Sequence, residues 1–440
     1  MNSFCSDAFK LFAVVGDPIM HSKSPQMHNA AFKAHDYPAA YTRLGAKDAE
    51  GALATIKAMG ICGINITSPY KAELGLKADQ LSPAASQLSA VNTVVYSEQG
   101  SFGDTTDPCG VAGTLLAEQL DLNGKHVVVL GAGGAARAAI SALLALGAKV
   151  HVINRTVERV AKLTPIFDFT FSAFTDSNLE EVLKRATLIV SCVSTPDRLF
   201  PATLLHKEHV VFDANYARPS ALVQDAQSVG ATVLDGRNWL LYQGIKAFEL
   251  FTGLEAPHVV MQRAVFDTPP AQQRKSIALI GFMGSGKSTV ARALGKLMQV
   301  EVIELDEQIE AEAGCSIDDI FNNDGEDAFR DLECKILQRF PARQDCILSC
   351  GGGVVLDQNN RHLLKERCNV VWLWASAAEV LSRVEGDSTR PLLRGKSVAD
   401  VEQLIKKRIP YYAQTADLVL GTEGWAANEI ASKILGELSI

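Results

Sequence analysis

The chain has 440 residues, room for about three domains at roughly 150 residues each. Apolar residues make up 47% and charged residues 21%, an ordinary globular composition that excludes a disordered chain. Lys and Arg number 42 against 50 Asp and Glu, a net charge of −8, which excludes a broad basic face for nucleic acid and leaves room only for local anion sites.

In chain order, the first apolar run, residues 11–15, is cut short by Gly16-Asp17-Pro18 and has no basic segment before it, so it reads as a strand and not a leader. The Ala/Leu-rich stretch 135–148 carries Arg137 and is too short to span a bilayer. A membrane partner is therefore not expected, and the cytoplasm is the expected compartment. Nine scattered cysteines contain no C-x-x-C pair, which suggests neither a zinc site nor a disulfide framework. Strands are predicted at 12–15, 63–67, 127–130, 149–153, 188–191 and 210–213, with helical stretches between them, a pattern of parallel α/β layers. A seam is expected near 103–110. The polar, proline-paired run Asp267-Thr-Pro-Pro-Ala-Gln-Gln-Arg-Lys275 reads as a linker. After it, strands are predicted at 277–280, 301–304, 346–349 and 370–374.

Val127-Val-Val-Leu130 runs into Gly131-Ala-Gly133-Gly134-Ala135-Ala136, a G-x-G-x-x-A turn that lets backbone N–H groups approach a pyrophosphate. The next strand ends at Asn154-Arg155-Thr156. A guanidinium and a hydroxyl there, where a free ribose would call for a carboxylate, favour NADP(H) over NAD(H). A turn without a ligand, with Arg155 merely solvated, is the bland alternative. Two polar segments lie upstream, His21-Ser22-Lys23-Ser24-Pro25-Gln-Met-His28-Asn29 and Gly63-Ile-Asn65-Ile-Thr67-Ser-Pro69-Tyr-Lys71. Each alone reads as a cap or turn; together they offer a hydroxyl-rich cradle and a cation that match a polyhydroxylated acid.

With Ala90-Val-Asn92-Thr93, Thr106-Asp107 and Gln243-Gly244…Phe248-Glu249…Thr252-Gly253, these segments resemble the shikimate dehydrogenase family over residues 10–255. The resemblance implies NADPH-dependent reduction of 3-dehydroshikimate to shikimate, with Lys71 and Asp107 as the catalytic pair. Ser22, Ser24, Thr67, Asn92, Tyr216 and Gln243 match its substrate-holding positions. Hydride delivery to a ketone builds charge on oxygen, which a lysine can protonate and an aspartate can help position. The sequence departs from the family at Thr105, where Asn is usual, and at Pro108, where Gly is usual; both put the local loop geometry in question.

Ile277-Ala-Leu-Ile280 leads into Gly281-Phe-Met-Gly284-Ser285-Gly286-Lys287-Ser288-Thr289, a complete G-x-x-x-x-G-K-S phosphate loop. Its backbone amides suit the β-phosphate of ATP, Lys287 the β/γ oxygens and Ser288 a Mg²⁺ ion. Glu304-Leu-Asp306 is read as a strand end with both carboxylates on one side of the pleat. Arg330, Gly351-Gly352-Gly353, Arg383, Arg390 and Arg408 supply more cations than ATP needs, which suits an anionic acceptor; solvated surface arginines are the alternative. This set resembles shikimate kinase over residues 275–425. The resemblance implies that Asp306, Arg330, Gly352, Gly353 and Arg408 hold shikimate and that Asp306 acts on its 3-hydroxyl. It also implies that Lys287 and Arg390 neutralise the transferring phosphoryl group and that Arg383 lies near the adenine. Glu304 stands where the family has Asp, and weaker Mg²⁺ binding is expected.

The two resemblances imply an α/β bifunctional enzyme whose first product is its second acceptor, two consecutive steps towards aromatic amino acids. Its parts would be a substrate domain (1–105 plus 238–265), a Rossmann-type NADP domain (106–237), a linker (266–274) and a phosphate-loop kinase domain (275–440). Two rivals stay open. One is a metabolite sensor built from inactive domains; the other is the same chemistry on quinate or another polyol.

Overall fold

The computed structural model describes residues 9–438 apart from 194, 217–218, 268–273, 341–344, 385–392 and 394. Its strands begin with β1 (Lys10–Val15), β2 (Ala39–Gly45), β3 (Gly63–Ile66), β4 (Gln80–Leu81), β5 (Thr93–Ser97) and β6 (Gly100–Asp104). There follow β7 (His126–Leu130), β8 (Lys149–Asn154), β9 (Thr170–Ala173), β10 (Leu188–Ser191), β11 (Val210–Asp213) and β12 (Thr232–Leu234). The last are β13 (Ser276–Ile280), β14 (Glu301–Glu304), β15 (Cys346–Ser349), β16 (Cys368–Trp374) and β17 (Leu418–Gly421). The chain folds into two compact units, one of residues 1–25, 36–70 and 269–440, the other of 26–35 and 71–268.

The first unit is built on a parallel sheet in the order β14–β15–β13–β16–β17–β2–β1–β3. Its central strand β13 is buried at every residue, which is why Ser276–Ile280 reads as an unbroken apolar run after its first position. Strands from both sides of the linker meet in this sheet, because β17 pairs with β2 through Val419 opposite Leu44 and Leu420 opposite Gly45. The β2 strand, AAYTRLG, was not anticipated from the sequence. Its Thr42 and Arg43 are polar yet buried, so it shows no alternation to detect.

In the second unit β5 and β6 form an antiparallel pair with β4 parallel to β6, an exception to the all-parallel expectation. Its main sheet is parallel, in the order β12–β11–β10–β7–β8–β9. This is the doubly wound order, in which successive strands depart in opposite directions from β7, and ligands characteristically bind outside the carboxyl ends at that switch point. The core between sheet and helices is aliphatic, with Val127, Val129, Ile140, Leu143, Val152 and Leu188 all inaccessible.

Seven described cysteines are free thiols, but Cys62 is disulfide-bonded, so cysteine chemistry is not wholly reduced as the sequence suggested. Among the described residues no helix is long and apolar enough to cross a membrane, and no cluster of metal-ligating side chains occurs.

Candidate functional site

Asp107 is the first residue of the helix Asp107–Ala117, where an unpaired N-terminal turn favours a carboxylate. The Lys71 ammonium donates to Asp107 Oδ2 at 2.6 Å. The lysine side chain is 29% exposed and the aspartate 11%, so the pair is sheltered but open on the lysine side. Pro108 falls in the first helical turn, where a missing N–H costs nothing and the fixed φ suits the helix, so it is compatible with the helix that begins at Asp107. Thr105 is buried, and its amide donates to Asp104 Oδ1.

Asn92 lies beside this pair's helix. Its side-chain amide donates to Thr106 Oγ1 and to Gln243 Oε1, both at 3.1 Å, while its Oδ1 accepts from the Thr106 N–H at 2.8 Å. The structure thus joins Asn92 to Gln243, both expected at substrate-holding positions, and to Thr106, which the sequence reading assigned no role of its own and which is one peptide bond from Asp107. In the same unit Tyr216, half-buried, lies next to Gly236.

In the other unit, Ser22 and Ser24 are buried and joined by a 3.2 Å hydroxyl contact. Arg43 from β2, a residue the sequence reading passed over, donates Nε and Nη2 to the Ser22 carbonyl at 3.1 and 2.6 Å. Thr67 closes β3, with its N–H donating to Val15 O.

The glycine loop after β7 leads into the helix Gly134–Ala145. No heavy atom lies within 4 Å of where a Cβ would sit on Gly133 or Gly134, so this cradle is open for a pyrophosphate against bare backbone. Asn154 ends β8 with its amide donating to Thr156 O at 2.8 Å, and Arg155 is exposed beside it. The donor set fits a ribose 2′-phosphate and offers no carboxylate to a free 2′-hydroxyl. Half-buried Cys192, just after β10, has its thiol pushed well up by desolvation, which disfavours the nucleophilic thiolate.

The phosphate loop after β13 has Gly286 at φ +89°, a conformation that glycine adopts without a Cβ penalty. Lys287 is buried, and its ammonium donates to the Gly281 and Phe282 carbonyls, each at 3.0 Å, across the loop. Ser288 Oγ donates to Glu304 Oε2 at 3.0 Å and lies 3.4 Å from Ser349 Oγ. A hydroxyl and a carboxylate converging at a phosphate loop are the donors a Mg²⁺–nucleotide needs. Arg383 spans from Glu379 to Thr422 and the Gly284 carbonyl, so it flanks the same loop. Arg390 lies outside the described residues.

Glu304 ends β14 but Asp306 lies in the first turn of the helix Leu305–Ala313, which corrects the period-two reading of Glu304-Leu-Asp306. Adjacent acidic residues are favoured in that turn by the helix dipole, and they start the helix one residue after Glu304. Asp306 nonetheless lies at the same glycine turn as the arginines. Its carboxylate abuts Gly351, and the Arg330 guanidinium is packed so closely over Gly353 that any side chain there would collide with it. Arg408 donates to Gly352 O at 3.0 Å, as does the Tyr412 hydroxyl at 2.5 Å. Arg330 also pairs with Glu333 at 2.8 Å and Glu326 at 3.1 Å. Glu333 is buried, and desolvation raises its pKa to about 7 despite the adjacent guanidinium.

Three family models match. The shikimate dehydrogenase substrate binding domain matches residues 14–94, the shikimate/quinate 5-dehydrogenase domain 114–225, and shikimate kinase 283–439. The shikimate dehydrogenase (NADP(+)) of Methanococcoides burtonii is 39% identical over 266 residues, covering 59% of this chain and 98% of its own. The crystal structure of shikimate dehydrogenase from Aquifex aeolicus shares 34% identity at a TM-score of 0.56, covering 60% of this chain and 100% of its own. That of shikimate 5-dehydrogenase from Thermus thermophilus, in complex with NADP(H) and shikimate, shares 33% at 0.52, covering 58% and 98%. The chain therefore belongs to the shikimate dehydrogenase family and carries, behind that enzyme's full length, a shikimate kinase domain.

Proposed function

We propose that the chain reduces 3-dehydroshikimate to shikimate and then phosphorylates the shikimate 3-hydroxyl. The division of labour is a substrate domain (1–105 plus 238–265), an NADP domain (106–237) and a kinase domain (275–440). NADPH supplies the hydride when bound along the Gly131–Ala135 turn and Asn154–Thr156. Lys71 gives its proton to the substrate oxygen as that oxygen gains charge, so ketone, hydride and proton sum to the alcohol. Asp107 keeps the ammonium aimed until the transfer, and Asn92 with Gln243 orients the ring hydroxyls. Ser22 and Ser24 hold the substrate carboxylate, and Tyr216 and Thr67 complete the cradle.

In the kinase half, Arg330 and Arg408 bind the acid's carboxylate against Gly352 and Gly353. Asp306 accepts the proton of the attacking 3-hydroxyl. Lys287 neutralises charge on the phosphoryl group as it moves from ATP to that oxygen, with Arg390 in the same role and Arg383 on the adenine side. Ser288 and Glu304 would hold Mg²⁺, which would supply positive charge to offset that of the nucleotide's phosphates. NADPH and ATP as co-substrates make the cytoplasm the proposed compartment.

The convergence of two guanidiniums and one carboxylate on the Gly351–Gly353 turn carries this reading, since a nucleotide alone requires none of them. Steady-state assays test it: shikimate should drive both NADP⁺ reduction and ADP release. Quinate in place of shikimate as the better substrate would reassign the first half. Flat traces in both assays with measurable ligand binding would make the chain a sensor.

Two further outcomes follow. Glu304→Asp, one methylene shorter and so no longer reaching the Ser288 hydroxyl, lowers the Mg²⁺ concentration for half-maximal kinase rate by about threefold. An unchanged Mg²⁺ titration would contradict this. Glu333 is neutral below about pH 7 and anionic above it. Its raised pKa means that folding favours the neutral acid, so its contribution to stability declines as pH rises from the ordinary carboxylate range to about 7. Its ionisation also neutralises Arg330, so the kinase KM for shikimate rises as pH passes through about 7, and Glu333→Gln flattens that profile.

A further inference from the structure

The helix Ala427–Leu438, the last of the kinase half, buries Ile430, Ala431 and Ile434 along one face. Glu437 continues that face, three residues beyond Ile434, and is 3% exposed. A carboxylate is an unfavourable choice there on two counts. The position calls for an apolar side chain, and it lies in the last helical turn, where the dipole disfavours negative charge.

Its partners account for it. Glu437 Oε2 accepts from the Ile19 N–H at 2.7 Å and the Met20 N–H at 3.3 Å. Lys433, one turn earlier, lies 3.0 Å from Glu437 Oε1 and 2.6 Å from Asp17 Oδ1, so it ties the same helix to the same loop a second time. Ile19 in turn accepts from the Ser22 N–H at 3.0 Å, which closes the turn that presents Ser22 and Ser24. The far side of that turn is held as well. Arg43 clasps the Ser22 carbonyl and, with its Nη1, donates to Asp417 O at 3.2 Å at the start of β17. Asp417 is fixed by Arg274 at 3.1 Å and by the Val370 N–H at 2.9 Å. Kinase-half groups thus brace this loop at both ends.

We propose that the C-terminal helix of the kinase half is a positioning element of the dehydrogenase substrate cradle, with Glu437 holding the turn that carries Ser22 and Ser24. This rests on the reading of those serines as substrate-holding groups. Glu437 is a positioning residue that touches no substrate, and the kinase domain contributes to the first reaction through it.

The test uses the full-length chain. In Glu437→Ala the buried Ile19 N–H and the half-buried Met20 N–H lose their acceptor, and the dehydrogenase KM for shikimate rises about tenfold, equivalent to about 1.4 kcal/mol, while kcat stays within about twofold. The kinase KM values for shikimate and ATP stay at wild-type levels. Glu437→Gln keeps an acceptor for both amides and recovers most of the loss; if the alanine variant fails to fold, a few-fold KM rise in the glutamine variant carries the result. Amide hydrogen exchange at Ile19 and Met20 quickens in Glu437→Ala whatever the substrate proves to be. Unchanged exchange at these amides, or an unchanged dehydrogenase KM in both variants, overturns the proposal. A wild-type chain inactive on shikimate but with quickened exchange in the variant instead removes the substrate assignment and leaves the bracing intact.

Discussion

Replacing Lys71 by alanine lowers the dehydrogenase kcat by about 10³-fold, in the middle of the range for loss of a positioned general acid. The binding of shikimate changes far less. The ammonium sits 2.6 Å from Asp107, and the serines and amides that hold the ring belong to other segments. The same chain releases ADP on shikimate at the wild-type rate, because Lys287, Asp306 and the arginines lie in the part after the linker. Both activities are read on one preparation, so the kinase rate serves as the control for folding. Loss of both activities together would mean the two sites are not chemically independent.

Asp306→Asn is the counterpart in the kinase half. The amide keeps the size of the side chain and its place against Gly351 but can no longer accept the hydroxyl proton. The kinase kcat is expected to fall by about 10²–10³-fold with the KM for ATP unchanged. Arg330→Ala should behave differently, since its guanidinium is proposed to bind the acid and not to act on the reacting oxygen. It raises the KM for shikimate more than it lowers kcat. A kcat for Asp306→Asn within severalfold of wild type would leave the 3-hydroxyl without its base.

What could be read from the sequence was local in origin. The loops Gly131–Ala135 and Gly281–Ser288 announce themselves because phosphate binding needs glycines and a helix start within a few residues of a strand. The Lys71–Asp107 pair and the Asn92–Gln243 contact came from segments that matched a family as a set, and the geometry joins both. Contacts made at long separation carried no such signal. Arg43 reaches Ser22 from β2 beside β1, and Glu437 reaches Ile19 from the part of the chain whose β17 pairs with β2; neither β2 nor β17 is periodic enough to announce itself. Glu304-Leu-Asp306 failed for a different reason. Alternation over three residues cannot distinguish a strand end from a helix start, and the acidic first turn decided for the helix. Pro108 reads as a departure within a loop, and becomes unremarkable once it falls at a helix start.

On the proposed function, one chain makes shikimate at one centre and consumes it at the other. Purified full-length protein supplied with 3-dehydroshikimate, NADPH and MgATP, with NADPH loss and ADP release followed together, tests it most directly. The expected result is an ADP trace that lags NADPH oxidation and then matches it mole for mole. With Lys71→Ala the ADP trace is absent until shikimate is added. NADPH oxidation with no ADP release, or ADP release that ignores shikimate, would contradict the claim.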